Sequence, residues 1–201
     1  TSPFMFLLNS VANLSNCKNK VADIRDLVWH YLPAKNFVQR KLKSVVTRHV
    51  HSSFEKFIAI TVTNHSEKDW LIKNANVNPE KIEVIPNGLS EDKFRFLQTI
   101  RYSKPQKDFV ISYIGNIGSA QVFIPLIEAI RNKEGVKLNL IGDGNERENI
   151  QRYLLEEDVR NVFVPGKLRW ARIIPYYQSS SILYSGLKEE FNTAVPSKIY
   201  E

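Results

Sequence analysis

Apolar residues recur at positions 4, 7, 8, 11 and 14, the spacing of one helical face. Residues 20–24 read as a short strand ending in Asp23-Ile24-Arg25-Asp26. Residues 37–57 predict a long helix. Val38, Leu42, Val45, Val46, Val50, Phe54 and Phe57 form its apolar stripe, and Lys41, Ser44 and Arg48 fall on another face. Residues 59–62 are β-branched and read as a strand, and Ser66-Glu67-Lys68-Asp69 then opens a helix with a capping-box pattern. Residues 81–85 read as another strand, ending in the turn Pro86-Asn87-Gly88.

Residues 98–107 are polar and have no clear period, which predicts a linker. Beyond it the rhythm is regular. Strands are expected at 109–114, 136–141, 161–164 and 181–184, and the first three lead through glycine-containing turns into helices. A repeated β-α order of this kind predicts a parallel sheet covered by helices. The last residues, Pro196-Ser197-Lys198-Ile199-Tyr200-Glu201, read as a loop entering a helix with Ser197 as N-cap. Ile199 and Tyr200 supply apolar surface there with nothing after them, so the chain reads as a fragment.

Composition narrows the picture. A chain of 201 residues, 43% hydrophobic, has enough apolar content for one ordinary domain or two small or incomplete ones. Cys17 is the single cysteine, which excludes an internal disulfide or a cysteine-based metal site and fits a reducing compartment. No apolar run approaches the length of a membrane-spanning helix. The net charge of +7 permits nucleic acid, an anionic membrane surface or phosphorylated small molecules as partners. Between residues 33 and 58 lie Lys35, Arg40, Lys41, Lys43, Arg48 and Lys56, opposed only by Glu55. His30, His49, His51 and His65 have no helical i,i+4 pairing and read as surface or structural residues.

Ligands of open α/β sheets bind outside the carboxyl ends of the strands. Here those ends carry Gly115 and Gly118, Gly142 and Gly144, Gly166, and the Pro196-Ser197-Lys198 segment. Glycine lets backbone N–H groups approach a ligand, and helix N-termini favour anions. Any one such loop is accounted for by a tight turn, whereas several around one crevice in a basic chain suit a nucleoside diphosphate. There is no Gly-x-Gly-x-x-Gly, no P-loop and no Asp-x-Asp, so no dinucleotide fingerprint, NTPase loop or metal site is supported.

Five segments together resemble retaining glycosyltransferases of the GT-B fold, in the large family 4. They are residues 84–88 (Val84-Ile85-Pro86-Asn87-Gly88) followed by Phe94, residues 113–118, residues 140–144, residues 162–166, and residues 196–201. Asp23-Ile24-Arg25-Asp26-Leu27 is similar to a motif of the subgroup that makes bacterial O-antigen and capsule polymers from amino sugars.

The resemblance implies an α/β protein of two Rossmann-like domains, both incomplete here. Residues 1–97 would be the rear part of the acceptor-binding domain, 98–107 the linker, and 108–201 the front part of the nucleotide-sugar-binding domain. It implies transfer of a sugar from a nucleotide diphosphate donor, UDP-linked, to a glycan or lipid-linked acceptor, with retention and without a metal or other cofactor. It also implies a cytoplasmic protein at the inner face of the membrane, where the basic helix would touch anionic lipid. A packed helix with a solvated basic face is the plainer reading of that stretch.

Residue by residue, Glu201 matches the second glutamate of the family's Glu-x7-Glu pattern, which grips the ribose. The first would fall at Thr193, so that half is absent. Gly115 and Gly118 match the loop under the diphosphate, where Asn116 and Gln121 stand in place of the family's frequent arginine and lysine. Lys198, beside the backbone of Ser197, is the candidate to supply that charge, against the reading of an exposed helix-start lysine. Gly166 and Lys167 match the place where the base packs, Gly142 and Gly144 belong to the neighbouring loop, and Arg25 and Asp26 fall near the loop facing the donor sugar. The rival readings are a non-catalytic nucleotide-binding fragment and a GT-B sugar-nucleotide epimerase. Nucleic-acid binding rests on charge alone, without an aromatic–basic motif.

Overall fold

The computed structural model describes residues 5–103, 107–131 and 133–200. The chain divides into two compact units, one of Thr1–Asn87 with Glu190–Val195, the other of Gly88–Glu189 with Pro196–Glu201.

The first unit runs α1 (Met5–Ala12), β1 (Val21–Ile24), α2 (Phe37–Phe54), β2 (Ala59–Val62), α3 (His65–Ala75) and β3 (Ile82–Val84). Its sheet is parallel, in the order β1-β2-β3, with Ala22 beside Ile60 and Ile60 beside Ile82. Ala22, Ile24, Ile60 and Val62 turn to the core with the alternation of a half-buried sheet. Trp29, Leu27, Phe54, Phe57 and Leu71 complete that core.

Two details of this unit differ from the sequence reading. The apolar stripe of α2 is two faces. Val46, Val50 and Phe54 are buried, while Val38, Leu42 and Val45 are 73%, 62% and 55% exposed. Those three lie roughly a third of a turn round the helix from the buried face, so one apolar pattern conceals two directions. The helix also stops at Phe54, and Phe57 reaches the core from the following turn. The cap of α3 is Asn64 instead of Ser66: its side chain accepts from Glu67 N at 2.9 Å. The reciprocal half of the cap runs to Thr63, whose N–H donates to Glu67 Oε2 at 2.9 Å.

The second unit runs α4 (Glu91–Gln98), β4 (Phe109–Ile114), α5 (Ile124–Ile130), β5 (Val136–Ile141), α6 (Arg147–Glu156), β6 (Val162–Gly166), α7 (Trp170–Ser179) and β7 (Ile182–Leu183), then a 3-10 turn at Ser197–Tyr200. All pairs are parallel, in the order β6-β5-β4-β7, with Ile111 between Leu138 and Ile182. The chain adds β5 and β6 on one side of β4, then crosses to place β7 on the other. β4 is therefore the switch point of the sheet. Leu138, Leu140, Ile127, Ile150 and Phe123 form the core.

Within the stretch expected as a linker, Ser103 N–H donates to Gln178 O at 2.7 Å. Just before that stretch, the Phe96 ring of α4 lies 5.7 Å from that of Trp170. Residues 104–106 are outside the described residues. Ser197 does not act as an N-cap. It is the first residue of the 3-10 turn, which closes from Ile199 N–H to Pro196 O at 3.2 Å. Ile199 is 59% exposed.

Candidate functional site

Strand β4 ends at Ile114 and hands the chain to a loop at the switch point, the place where open α/β sheets bind ligands. A cavity of about 460 Å³ opens there. Its walls come from four directions: Gly115 and Asn116 after β4, Gly142 and Asp143 after β5, Lys167, Leu168, Trp170 and Ile173 after β6, and Lys198 from the 3-10 turn. Lys93 of α4 also lines it.

Close approach of backbones builds this place. A Cβ on Gly142, at φ +147°, would stand 1.7 Å from Gly115 O, so only glycine lets the two loops meet. A Cβ on Gly115 would meet the Lys198 stem at 3.1 Å, which shows the lysine crossing directly over the β4 loop. Tyr113 fixes that loop from beneath by donating to Asn116 O at 2.6 Å. Burial, and then the neighbouring Tyr184, push its phenol up to about 12, so it remains a donor at physiological pH.

Of the residues singled out in the sequence, Gly115, Asn116, Gly142, Lys167 and Lys198 line this cavity. Gly118, Gly144, Gly166 and Ser197 are not among its lining residues. Gly118 N–H donates to Gln121 Oε1 at 3.0 Å, and Gly144 N–H to Asp143 Oδ1 at 3.0 Å. Gly166 accepts from Gly142 N–H at 3.0 Å. These three glycines shape the loops through internal bonds. Glu201 lies outside the described residues. Lys93 and Trp170 escaped the sequence reading, although a tryptophan just past a strand-end glycine is the kind of signal that could have found one of them. Lys198 also lines a second cavity of about 250 Å³ with Tyr177, Tyr184 and Ser185.

Arg25 and Asp26 lie in the first unit, at the end of β1. Arg25 donates to Asp23 Oδ2 at 2.9 Å and to Asn87 Oδ1 at 2.8 Å, so the Asp-Ile-Arg-Asp and Ile-Pro-Asn-Gly segments are tied together. Burial works against the Asp23 charge, but hydrogen bonds from Arg25 and Thr61 outweigh it and hold the carboxyl low. Asp26 is exposed, and partial desolvation raises its carboxyl.

A second polar group lies nearby in the same unit. Glu67 is fully buried, accepts from Thr63 N and Oγ1 through Oε2, and leaves Oε1 without a hydrogen bond. Burial raises its carboxyl, and the Asp26 charge adds to the rise. Thr193 is 7% exposed, with Oγ1 2.5 Å from Tyr31 OH and its carbonyl accepting from Asn64 Nδ2 at 3.1 Å. Its side chain is therefore engaged within the first unit. Among the described residues no cluster of three or more metal-ligating side chains occurs, and no helix is long and apolar enough to cross a membrane.

No protein-family model and no curated protein matches the chain. Solved structures do. Sucrose-phosphate synthase from Thermosynechococcus elongatus is 16% identical, with a TM-score of 0.66 over 92% of this chain and 49% of that one. Anabaena HepE in complex with UDP-glucose is 14% identical, with a TM-score of 0.63 over 91% of this chain and 50% of that one. A Staphylococcus aureus TarM variant, in complex with fondaparinux, alpha-GlcNAc-glycerol and UDP, is 15% identical at a TM-score of 0.57, over 85% and 32% of the two chains. The fold is that of the GT-B glycosyltransferases, and the chain spans half or less of the length of these three structures.

Proposed function

We propose that the chain belongs to a retaining glycosyltransferase that moves a sugar from a nucleoside diphosphate, UDP-linked, to a hydroxyl of a glycan or lipid-linked acceptor in bacterial cell-surface polysaccharide synthesis. On this reading the second unit holds the donor and the first unit the acceptor. The observation that carries it is the cavity at the β4 switch point, where backbone of three strand ends meets Lys167 and Lys198. The resemblance in sequence and the GT-B fold support it, as do the UDP and UDP-glucose named with the HepE and TarM structures.

The difficult step is departure of the diphosphate, because negative charge grows on the leaving oxygen. On this reading Lys198, whose stem lies against Gly115, stabilises that charge. Asn116 and Gln121 carry no charge to share the task, and Gln121 is already bonded to Gly118. As the sugar becomes oxocarbenium-like, the departing phosphate can draw the acceptor's proton, so no protein nucleophile is required. Asp26, an exposed carboxyl on the acceptor side, is the candidate to orient the acceptor hydroxyl, with Arg25 fixed by Asp23 and Asn87 as its support.

Calorimetric titration with a panel of nucleotide sugars tests the reading. One nucleoside diphosphate is expected to bind and to be competed by its sugar conjugate. Lys198→Ala is expected to weaken it about tenfold or more, as loss of a charge-assisted contact does. Failure of every nucleotide to bind would remove the proposal. The cytoplasmic placement at the membrane's inner face belongs to the same reading, through the exposed apolar and basic flank of α2.

A further inference from the structure

Lys198 reaches its place in the second unit by way of the first. The chain leaves the second unit after Glu189, runs through residues 190–195 as part of the first, and returns to the second at Pro196. Thr193, within that excursion, is buried and anchored twice. Its hydroxyl is 2.5 Å from the Tyr31 hydroxyl, and its carbonyl accepts from Asn64 Nδ2 at 3.1 Å. Two residues earlier, the Phe191 ring lies 4.8 Å from that of Tyr31. Both anchors are themselves fixed. Tyr31 packs against the core of the first unit, and Asn64 Oδ1 caps α3 by accepting from Glu67 N. Burial pushes the Tyr31 phenol up to about 12, so its hydroxyl stays neutral across the ordinary pH range.

Little slack separates the anchor from the lysine. Ala194 N–H donates to Phe191 O at 3.0 Å, and the ring of Pro196 fixes its own φ. Ile199 N–H then closes the 3-10 turn onto Pro196 O at 3.2 Å, with Lys198 inside the turn. The five residues from Thr193 to Lys198 span at most about 17 Å when fully extended. A stretch this short and this constrained passes a displacement of Thr193 on to the Lys198 stem, which lies against Gly115.

We infer that Tyr31 and Asn64 are positioning residues for Lys198, acting through Thr193. This rests on the reading above that the cavity of the second unit takes the donor's diphosphate. Neither residue is among the lining residues of that cavity, yet both set how firmly its cation is held. The coupling is reciprocal. A diphosphate that holds Lys198 in place also favours the anchored state of residues 190–195.

Calorimetric titration of inorganic pyrophosphate into the full 201-residue chain reads the lysine without a base or a sugar. Tyr31→Phe keeps the ring contact with Phe191 and loses only the hydroxyl, and it is expected to weaken pyrophosphate about threefold. Thr193→Val is expected to do the same, and Thr193→Ser, which keeps the hydroxyl, to match wild type. Asn64→Ser keeps an N-cap oxygen for α3 but has no amide to donate to Thr193, so a similar loss is expected. In a Lys198→Ala background none of these changes is expected to matter, because the side chain they position is gone. Losses of equal size with and without Lys198 would show a general structural effect and overturn the assignment. Amide exchange supplies the reciprocal readout: pyrophosphate is expected to slow exchange at residues 191–195 in wild type and not in Lys198→Ala. Protection confined to residues 88–189 would overturn the coupling. If wild type binds pyrophosphate and Tyr31→Phe, Thr193→Val and Asn64→Ser all match it, the donor reading survives and this inference falls. Absence of pyrophosphate binding by wild type also removes this inference, while the nucleotide panel decides the donor reading separately.

Discussion

Thr193 shows how a residue's neighbours can reassign it. The resemblance places the first glutamate of a nucleotide-gripping pattern at this position, yet the threonine is buried and bonded to Tyr31 and Asn64 in the first unit. Lys198 was legible from its place after a proline and serine, and Gly115 and Gly142 from their place after strands. Trp170 and Lys93 were not, because periodicity reports which face a residue occupies and says nothing of which loops converge. Glu67 is a further case: in sequence it is one more helix-start acid, and in the structure it is a buried carboxyl with one unpartnered oxygen. Its folded carboxyl is raised above the ordinary value of 4.5, so the folded state holds the proton more tightly than the unfolded chain does. Stability from this group is complete below 4.5 and is lost as pH rises through the raised value. Glu67→Gln is therefore expected to flatten the fall in melting temperature on the alkaline side of 4.5, while matching wild type in more acidic buffer. Parallel melting curves for the two proteins across that range would contradict the assignment.

At the scale of elements, helices and strands were readable wherever one period ran without interruption, as in β4, β5 and α6. Boundaries were less so. α5 begins at Ile124, some residues after Gly118, because the chain first turns at residues 119–120 and Gln121 pairs with Leu187 in an isolated antiparallel bridge. No local pattern announces a bridge across that distance. α2 is the clearest case of a pattern that was right in kind and misleading in direction. Its flank exposes Phe37, Val38, Leu42 and Val45 beside Lys41 and Arg48. Apolar side chains flanked by cations suit an anionic bilayer surface, with attraction that salt weakens. Co-sedimentation with phosphatidylglycerol vesicles is expected to capture the protein at low salt and release it as salt is raised. Leu42→Glu with Val45→Glu should reduce capture without unfolding the chain, since both side chains are exposed. Absence of binding at low salt would remove the membrane from the proposed function.

For the molecule as a whole, alternation of strand and helix foretold parallel sheets, and both sheets are parallel. The strand order β6-β5-β4-β7 was beyond reach, since it depends on pairing between segments far apart in sequence. That order makes β4 the switch point and so locates the cavity. The division into units also follows from tertiary pairing: residues 190–195 belong with the first unit although the chain on either side of them belongs to the second. Those six residues can be treated as a tethered ligand, kept at high effective concentration by the covalent chain. A polypeptide of residues 1–87 would lack them, and a synthetic peptide of residues 188–197 is expected to raise its melting temperature in a saturable manner. The same peptide with Thr193→Val loses the bond to Tyr31, about 1 kcal/mol, and should bind about fivefold more weakly. The first unit would then serve as its own reporter for a six-residue docking motif, and a gene split after Asn87 would give two pieces able to recognise each other through it.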